Sequence, residues 1–309
     1  MVLSRSILKS EVKDLKIKKN ESVKELVNSF ETVGGFTAAN VFQGVKILRE
    51  MIADEKCTKI LSFPADLIST GVRGVFADSI KNFNAVITTC GTLDHDLARA
   101  WGGKYYSGSF DFNDAELKRI GVFRLGNVLI PSEDYGLVLE KNMKPVLEEL
   151  VRIKNEWSTW ELVREFGRRI KDENSIIRQA YLHDVLVFVP GVTDGAFGTQ
   201  LTLFSQDHDF KVNVLKDERE LSRVVLESKK LGALMIGGGI SKHHTIWWSQ
   251  FKGGLDYAVY VTTASQYDGS LSGARLSEAV SWGKVKVKAK FVNIDGDASV
   301  ILPLMLAGL

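Results

Sequence analysis

The densest group of chemically capable side chains lies near the C-terminus, in YDGSLSGARLSEAVSWGKVKVKAKFVNIDGD, residues 267–297. Its first part is rich in glycine and serine, the composition of a loop that wraps a ligand. Its second part alternates strictly, which puts Lys284, Lys286, Lys288 and Lys290 on one face of a strand. That pattern reads as a half-exposed strand with a lysine-rich outer face. Periodicity alone does not single out Lys284 as a nucleophile, although Trp282 and Gly283 precede it and offer an aromatic wall and a close backbone approach. A second group is GALMIGGGISKHH, residues 232–244, with the order strand, glycine turn, helix. Such a turn lets backbone N–H groups approach a phosphate at a helix N-terminus. The full dinucleotide fingerprint is not met, because Lys242 stands where its last glycine would be and Asp256 supplies the later acid only loosely. The same glycines equally fit a tight turn required on steric grounds alone. His243 lies four residues before Trp247, so an imidazole and an indole share one helical face.

Other chemistries lack their residues. There is no G-x-S-x-G elbow for a serine nucleophile and no G-x-x-x-x-G-K-[ST] loop for nucleoside triphosphates. The DHD triplets at 94–96 and 207–209 do not have zinc-ligand spacing, so no metal is expected. Cys57 and Cys90 form no C-x-x-C pair and are expected as reduced thiols.

The elements that must position these groups are those of a globular protein: 309 residues, 45% hydrophobic and 25% charged. Residues 1–24 hold seven Lys or Arg against three Asp or Glu, so the remainder of a chain of net charge +2 is close to neutral and is not a nucleic-acid surface. No stretch approaches the roughly 20 apolar residues that span a bilayer, and no secretory h-region is visible, so a cytoplasmic location is expected. Apolar runs at 59–66, 85–92, 126–134, 185–195, 232–239 and 255–264 each end in small polar residues or glycine. They read as parallel strands buried on both faces. Helical spacing at 142–157 and 216–230 lies between them. The alternation predicts an α/β, doubly wound, mostly parallel sheet, whose ligands sit beyond the carboxyl ends of the strands. A basic N-terminal helical arm, residues 1–30, is expected before a single domain at 31–309.

SEAVSWGKVKV, together with GGGISKHH and DYAVYVTTASQYDGSLSGAR, closely resembles the deoxyhypusine synthase family, in its compact archaeal form. The likeness extends through residues 34–52, 64–73, 88–97, 124–135 and 192–198. It implies a Rossmann-like NAD-binding fold, a tetramer with sites at subunit interfaces, and an NAD-dependent reaction. In that reaction spermidine is dehydrogenated, 1,3-diaminopropane leaves, and the aminobutyl group passes through an enzyme-lysine imine to one lysine of the translation factor 5A precursor.

By the same resemblance Lys284 is the covalent lysine. An ordinary lysine is neutral in only about one molecule in 2,500 at pH 7, so that role calls for a dry pocket. His243 matches the histidine that accepts a proton from the amine. Glu278 and Trp282 match the polyamine tunnel wall, and Asp94, His95, Thr199, Gly269, Ser270 and Leu271 match amine-site positions. Ala65, Asp66, Ser69, Thr89, Cys90, Gly91, Asp194, Gly238, Thr263, Ala264, Asp268, Asp297 and Ala298 match cofactor positions. Eukaryotic members carry carboxylates where this chain has His95, Thr199 and Leu271, which leaves the preferred amine open. Aminobutyl transfer to a free diamine, as in homospermidine synthases, and an NAD-binding protein without catalysis are the competing expectations.

Overall fold

The computed structural model describes residues 11–309. Six strands form the central sheet: β1 (Cys57–Ser62), β2 (Ala85–Ile87), β3 (Leu186–Phe188), β4 (Lys230–Ile236), β5 (Leu255–Thr262) and β6 (Val285–Asp295). Every neighbouring pair is parallel, and the spatial order is β3-β2-β1-β4-β5-β6. This is the doubly wound order of dinucleotide-binding sheets, with its switch point between β1 and β4.

Successive side chains of a strand point to opposite faces, and both faces here are buried. Ile60 and Tyr260 enter one hydrophobic cluster with Ile246, Leu276 and Ala279. Their neighbours Leu61 and Val259 enter the other with Leu48, Phe76 and Met305. Continuous apolar runs are the sequence form of such strands. The expected helices run over Gly136–Ile153 and Val214–Glu227, each displaced a few residues from the periodic segments.

The segment 126–134 departs from the expectation. Val128–Pro131 pairs antiparallel with Val122–Leu125 and with Tyr106–Ser107 in a separate three-stranded sheet. Leu125 pairs directly with Val128, so Gly126, at φ +60°, and Asn127 close a two-residue hairpin. A left-handed residue there turns the chain straight back.

Residues 1–10 of the expected N-terminal arm lie outside the described residues, and 11–22 contain no helix. Helix Val23–Val33 begins at Ser22, whose hydroxyl accepts from Glu25 N while the Glu25 carboxylate accepts from Ser22 N. It packs on helices Phe36–Ala53 and Ala298–Ala307. The lysine stripe also departs from its pattern. Leu255 pairs with Val285 but Tyr257 with Lys290, so two steps along β5 face five along β6. This bulge detaches Lys284 from the other lysines. Lys286 pairs with Asp256 at 2.8 Å and Lys290 with Glu50, whereas Lys284 turns inward.

Candidate active site

The carboxyl ends of all six strands feed loops that carry the expected cofactor residues. Ala65, Asp66 and Ser69 follow β1. Thr89, Cys90 and Gly91 follow β2 and open helix Cys90–Ala100. Asp194 follows β3, Gly238 follows β4, Thr263, Ala264 and Asp268 follow β5, and Asp297 and Ala298 follow β6. Three features show how closely the chain approaches itself along this edge. A Cβ on Gly91 would lie 2.8 Å from the Ala65 Cβ. One on Gly238 would lie 2.2 Å from the Ser272 hydroxyl oxygen. Gly237 and Gly239 flank it at φ +64° and +67°, so the chain enters helix Gly239–Ser249 through a turn that side chains resist. Asp297 caps helix Ala298–Ala307 by accepting from Ser299 N at 2.8 Å.

Lys284 sits elsewhere on the sheet. Its carbonyl accepts from the N–H of Leu255, the first residue of β5, so its backbone lies at the amino ends of the strands. Seven residue steps of about 3.3 Å separate Leu255 from Thr262, roughly 23 Å, farther than a lysine side chain reaches. Lys284 is 7% exposed. Its ammonium lies 5.2 Å from the Trp282 ring centroid and 5.6 Å from that of Trp247, with no ion-pair partner among the described residues. It lines a cavity of about 130 Å³ with Lys242, Leu271, Ala274, Arg275, Glu278 and Trp282, in the groove between helices Gly239–Ser249 and Leu276–Ser281.

His243 projects from the first of these helices, its ring 5.7 Å from Trp247. Partial burial, then the nearby charges of Lys284 and His244, hold its pKa below the ordinary imidazole value. A neutral imidazole beside an amine pocket can accept a proton. His244 faces away and pairs with Glu218 at 3.2 Å, and Glu218 also accepts from Trp248 Nε1 at 2.7 Å.

Asp94, His95, Thr199, Gly269 and Ser270, expected at the amine site, do not line the Lys284 cavity of this chain. The Asp94 carboxylate is fully buried and accepts from Ala196 N at 3.0 Å, Phe197 N at 2.7 Å and the Tyr135 hydroxyl at 2.8 Å. It therefore caps helix Ala196–Asp207 and fixes the loop that bears Asp194. A Cβ on Gly195 would lie 2.6 Å from one of its oxygens, which explains the glycine there. Burial raises the Asp94 pKa against the pull of these donors. His95 lines a second, apolar cavity with Phe123, Ile130 and Tyr135. The Thr199 hydroxyl is occupied by the Gly195 carbonyl at 2.9 Å. Gly269 and Ser270 lie on an exposed loop, where Ser270 N and Oγ both donate to Asp268 at 2.7 Å.

Sequence reasoning assigned no role to Lys242, Trp247, Tyr135 or Tyr260. Only Trp247 carried a signal, its helical spacing from His243. The partners of the others are set by chain crossings far apart in sequence.

A doubly wound parallel sheet, flanked by a groove that buries a lysine near two indole rings, is an α/β architecture of the dinucleotide-binding type. The family model for deoxyhypusine synthase matches residues 25–309, and the chain belongs to that family, whose members are aminobutyltransferases. It is 52% identical over 306 residues to a protein of Thermoplasma volcanium named "Probable deoxyhypusine synthase", covering 98% of each chain. It is 51% identical over 305 residues to one of the same name from Sulfurisphaera tokodaii, again covering 98% of each. The solved structure of an Entamoeba histolytica protein named "putative deoxyhypusine synthase" superposes with a TM-score of 0.64 at 21% identity over 96% of both chains. The ternary complex of AgrE with ornithine and NAD+ shares the fold at a TM-score of 0.52 and 13% identity, over 96% of this chain and 34% of that one. Among the described residues no helix is long and apolar enough to cross a membrane.

Proposed function

We propose that this enzyme moves the aminobutyl group of spermidine through Lys284 to one lysine of the translation factor 5A precursor, in the cytoplasm, with NAD in the carboxyl-edge cleft. The observation that carries the reading is Lys284 itself: buried, unpaired among the described residues, and between two indole rings. The cleft suits a dinucleotide. Its glycine turn admits no Cβ at Gly238, and the helix N-termini at Cys90, Gly239 and Ala298 all open onto it. Ala65, Asp66, Ser69, Thr89, Cys90, Gly91, Asp194, Gly238, Thr263, Ala264, Asp268, Asp297 and Ala298 would hold it there. Bound there, NAD would supply a hydride acceptor for the amine carbon and, at the end of the cycle, the source of the same hydride.

His243 accepts the proton that leaves the amine nitrogen. Glu278 offers a carboxylate and Trp282 a ring face to the cationic amine. Lys284 attacks the oxidised amine, releases 1,3-diaminopropane and keeps the four-carbon fragment as an imine until the acceptor lysine displaces it.

Trp282 is 65% exposed, with Trp247 and Phe251 also exposed. A second copy that covers this aromatic patch and lends its own cleft would complete the site, within the tetramer the family resemblance implies. The domain then comprises residues 31–309, with the N-terminal arm outside the chemistry.

The test is borohydride trapping with NAD and spermidine labelled in its aminobutyl part. Wild type should incorporate one label per chain at Lys284 and Lys284→Ala none. A label that survives in the variant rejects the assignment. Supplying the factor precursor and putrescine together then separates protein modification from homospermidine formation.

A further inference from the structure

Lys242 is 2% exposed and has no carboxylate partner among the described residues. Its Nζ donates to the Leu271 carbonyl at 2.8 Å and the Ala274 carbonyl at 2.6 Å, and lies 3.8 Å from the centroid of the Tyr260 ring. An ammonium has three donors, and here two carbonyls and one aromatic face account for them. No other donor reaches either carbonyl among the described residues. An apolar side chain of similar length would fill this space without the desolvation of a cation. The charge is therefore explained by what it holds.

What it holds is the base of a loop. The chain leaves β5 at Thr262, is exposed from Ser265 to Ser270, and returns beneath Lys242 through Leu271 and Ala274, both of which line the Lys284 cavity. The rest of the base is fastened at Ser272. Its carbonyl accepts from the Tyr260 hydroxyl and from Thr262 Oγ1 at 3.3 Å, and its hydroxyl accepts from Gly239 N at 3.0 Å. One residue thus connects the loop that joins the cofactor turn at Gly238 to the pocket wall around Lys284.

We propose that Lys242 is a positioning residue, whose ammonium staples loop 265–275 across the Lys284 pocket and so sets the enzyme's affinity for its amine substrate. Burial, with Arg275 acting in the same direction and Glu278 opposing, brings its pKa down to about 8, as expected for a cation held by dipoles and a ring without a counter-ion. The claim rests on the reading of Lys284 as the covalent lysine, and its test keeps the two apart.

The full enzyme with NAD is titrated with labelled spermidine and trapped with borohydride, as wild type and as Lys242→Met. The variant should need at least tenfold more spermidine for half-maximal label while its label at saturation stays within twofold. A merely destabilised protein would lose label at saturation and keep its half-saturation point. In parallel, chymotrypsin cleavage after the exposed Tyr267 should be at least fivefold faster in the variant. Tyr260→Phe, which keeps the ring and removes the bond to Ser272, should move both readouts the same way, and it decides the matter if Lys242→Met does not fold. Unchanged half-saturation and unchanged cleavage overturn the staple. If wild type takes no label, the Lys284 reading fails instead, and the cleavage rates alone decide whether Lys242 holds the loop.

Discussion

His95 makes the acid stability of this enzyme predictable. The ring is 7% exposed, its Nδ1 lies 2.9 Å from the Tyr105 hydroxyl, and the Tyr135 ring stands 5.4 Å away. Burial, with a smaller push from the Arg99 charge, lowers its pKa to about 4. In the unfolded chain the same side chain titrates near 6.5. Between those values the unfolded state binds a proton that the folded state refuses, so stability is complete at neutral pH and is lost as pH falls from 6.5 towards 4. Integrating the two titrations from pH 7 to 4.5 gives about 2 kcal/mol from this one ring. The comparison is between wild type and His95→Gln, which keeps a polar partner for Tyr105 but cannot charge. Urea unfolding is followed by circular dichroism at both pH values and at one fixed protein concentration, so that linkage to assembly is equal in the two proteins. Carboxylates and the other histidines cancel in the subtraction. Wild type should lose about 2 kcal/mol more than the variant on acidification. Equal losses in the two would refute the claim that His95 is held neutral.

Three further outcomes follow from the same geometry. The acid limb of kcat/KM reports the free enzyme's base. With His243 held below its ordinary value by burial and by Lys284, that limb should have its midpoint below pH 6.5, and a midpoint above 6.5 would exclude His243 as the base. In Gly238→Ala the new methyl would lie 2.2 Å from Ser272 Oγ, and titration calorimetry should show NAD binding at least tenfold weaker. Arg73→Met leaves Asp96, fully buried, with Ser175 and the Ile176 and Ile177 amides but without its 2.6 Å countercharge. That should cost about 3–5 kcal/mol, read as a lower denaturant midpoint at unchanged slope.

The parallel sheet was legible because burial on both faces leaves an unmistakable mark: β4 and β5 are continuous apolar runs whose ends carry Gly238 and Thr263. The hairpin at 126–134 was not, since a four-residue strand has the same composition in either direction and only the φ of Gly126 reverses it. Alternation also misplaced Lys284 among the outward lysines. Period two assumes unbroken pairing, and the bulge opposite Leu255 and Tyr257 breaks it. Resemblance put Asp94 with the amine ligands. In the structure its oxygens accept from Ala196, Phe197 and Tyr135, partners 41 to 103 positions away that no local pattern announces.

The two lysines of the groove show how one fold gives the same residue type two uses. Lys242 gives two of its protons to the Leu271 and Ala274 carbonyls, which fix the direction of its nitrogen. Lys284 lines the same cavity, with two indole rings near its ammonium and no hydrogen-bond acceptor among the described residues. An aromatic face attracts a cation without occupying a lone pair or fixing a direction. The nitrogen therefore stays free to form a bond once it is deprotonated. The difference arises in the backbone. Helix Gly239–Ser249 carries Lys242 to the loop carbonyls on its first turn, while the bulge in β6 releases Lys284 from a strand face that would have sent it to solvent. Straightening that bulge, by deleting the three surplus residues from 286–289, should return Lys284 to the lysine stripe and abolish covalent trapping while the sheet still folds. Retention of trapping in such a protein would mean that the pocket, and not the strand register, places the nucleophile.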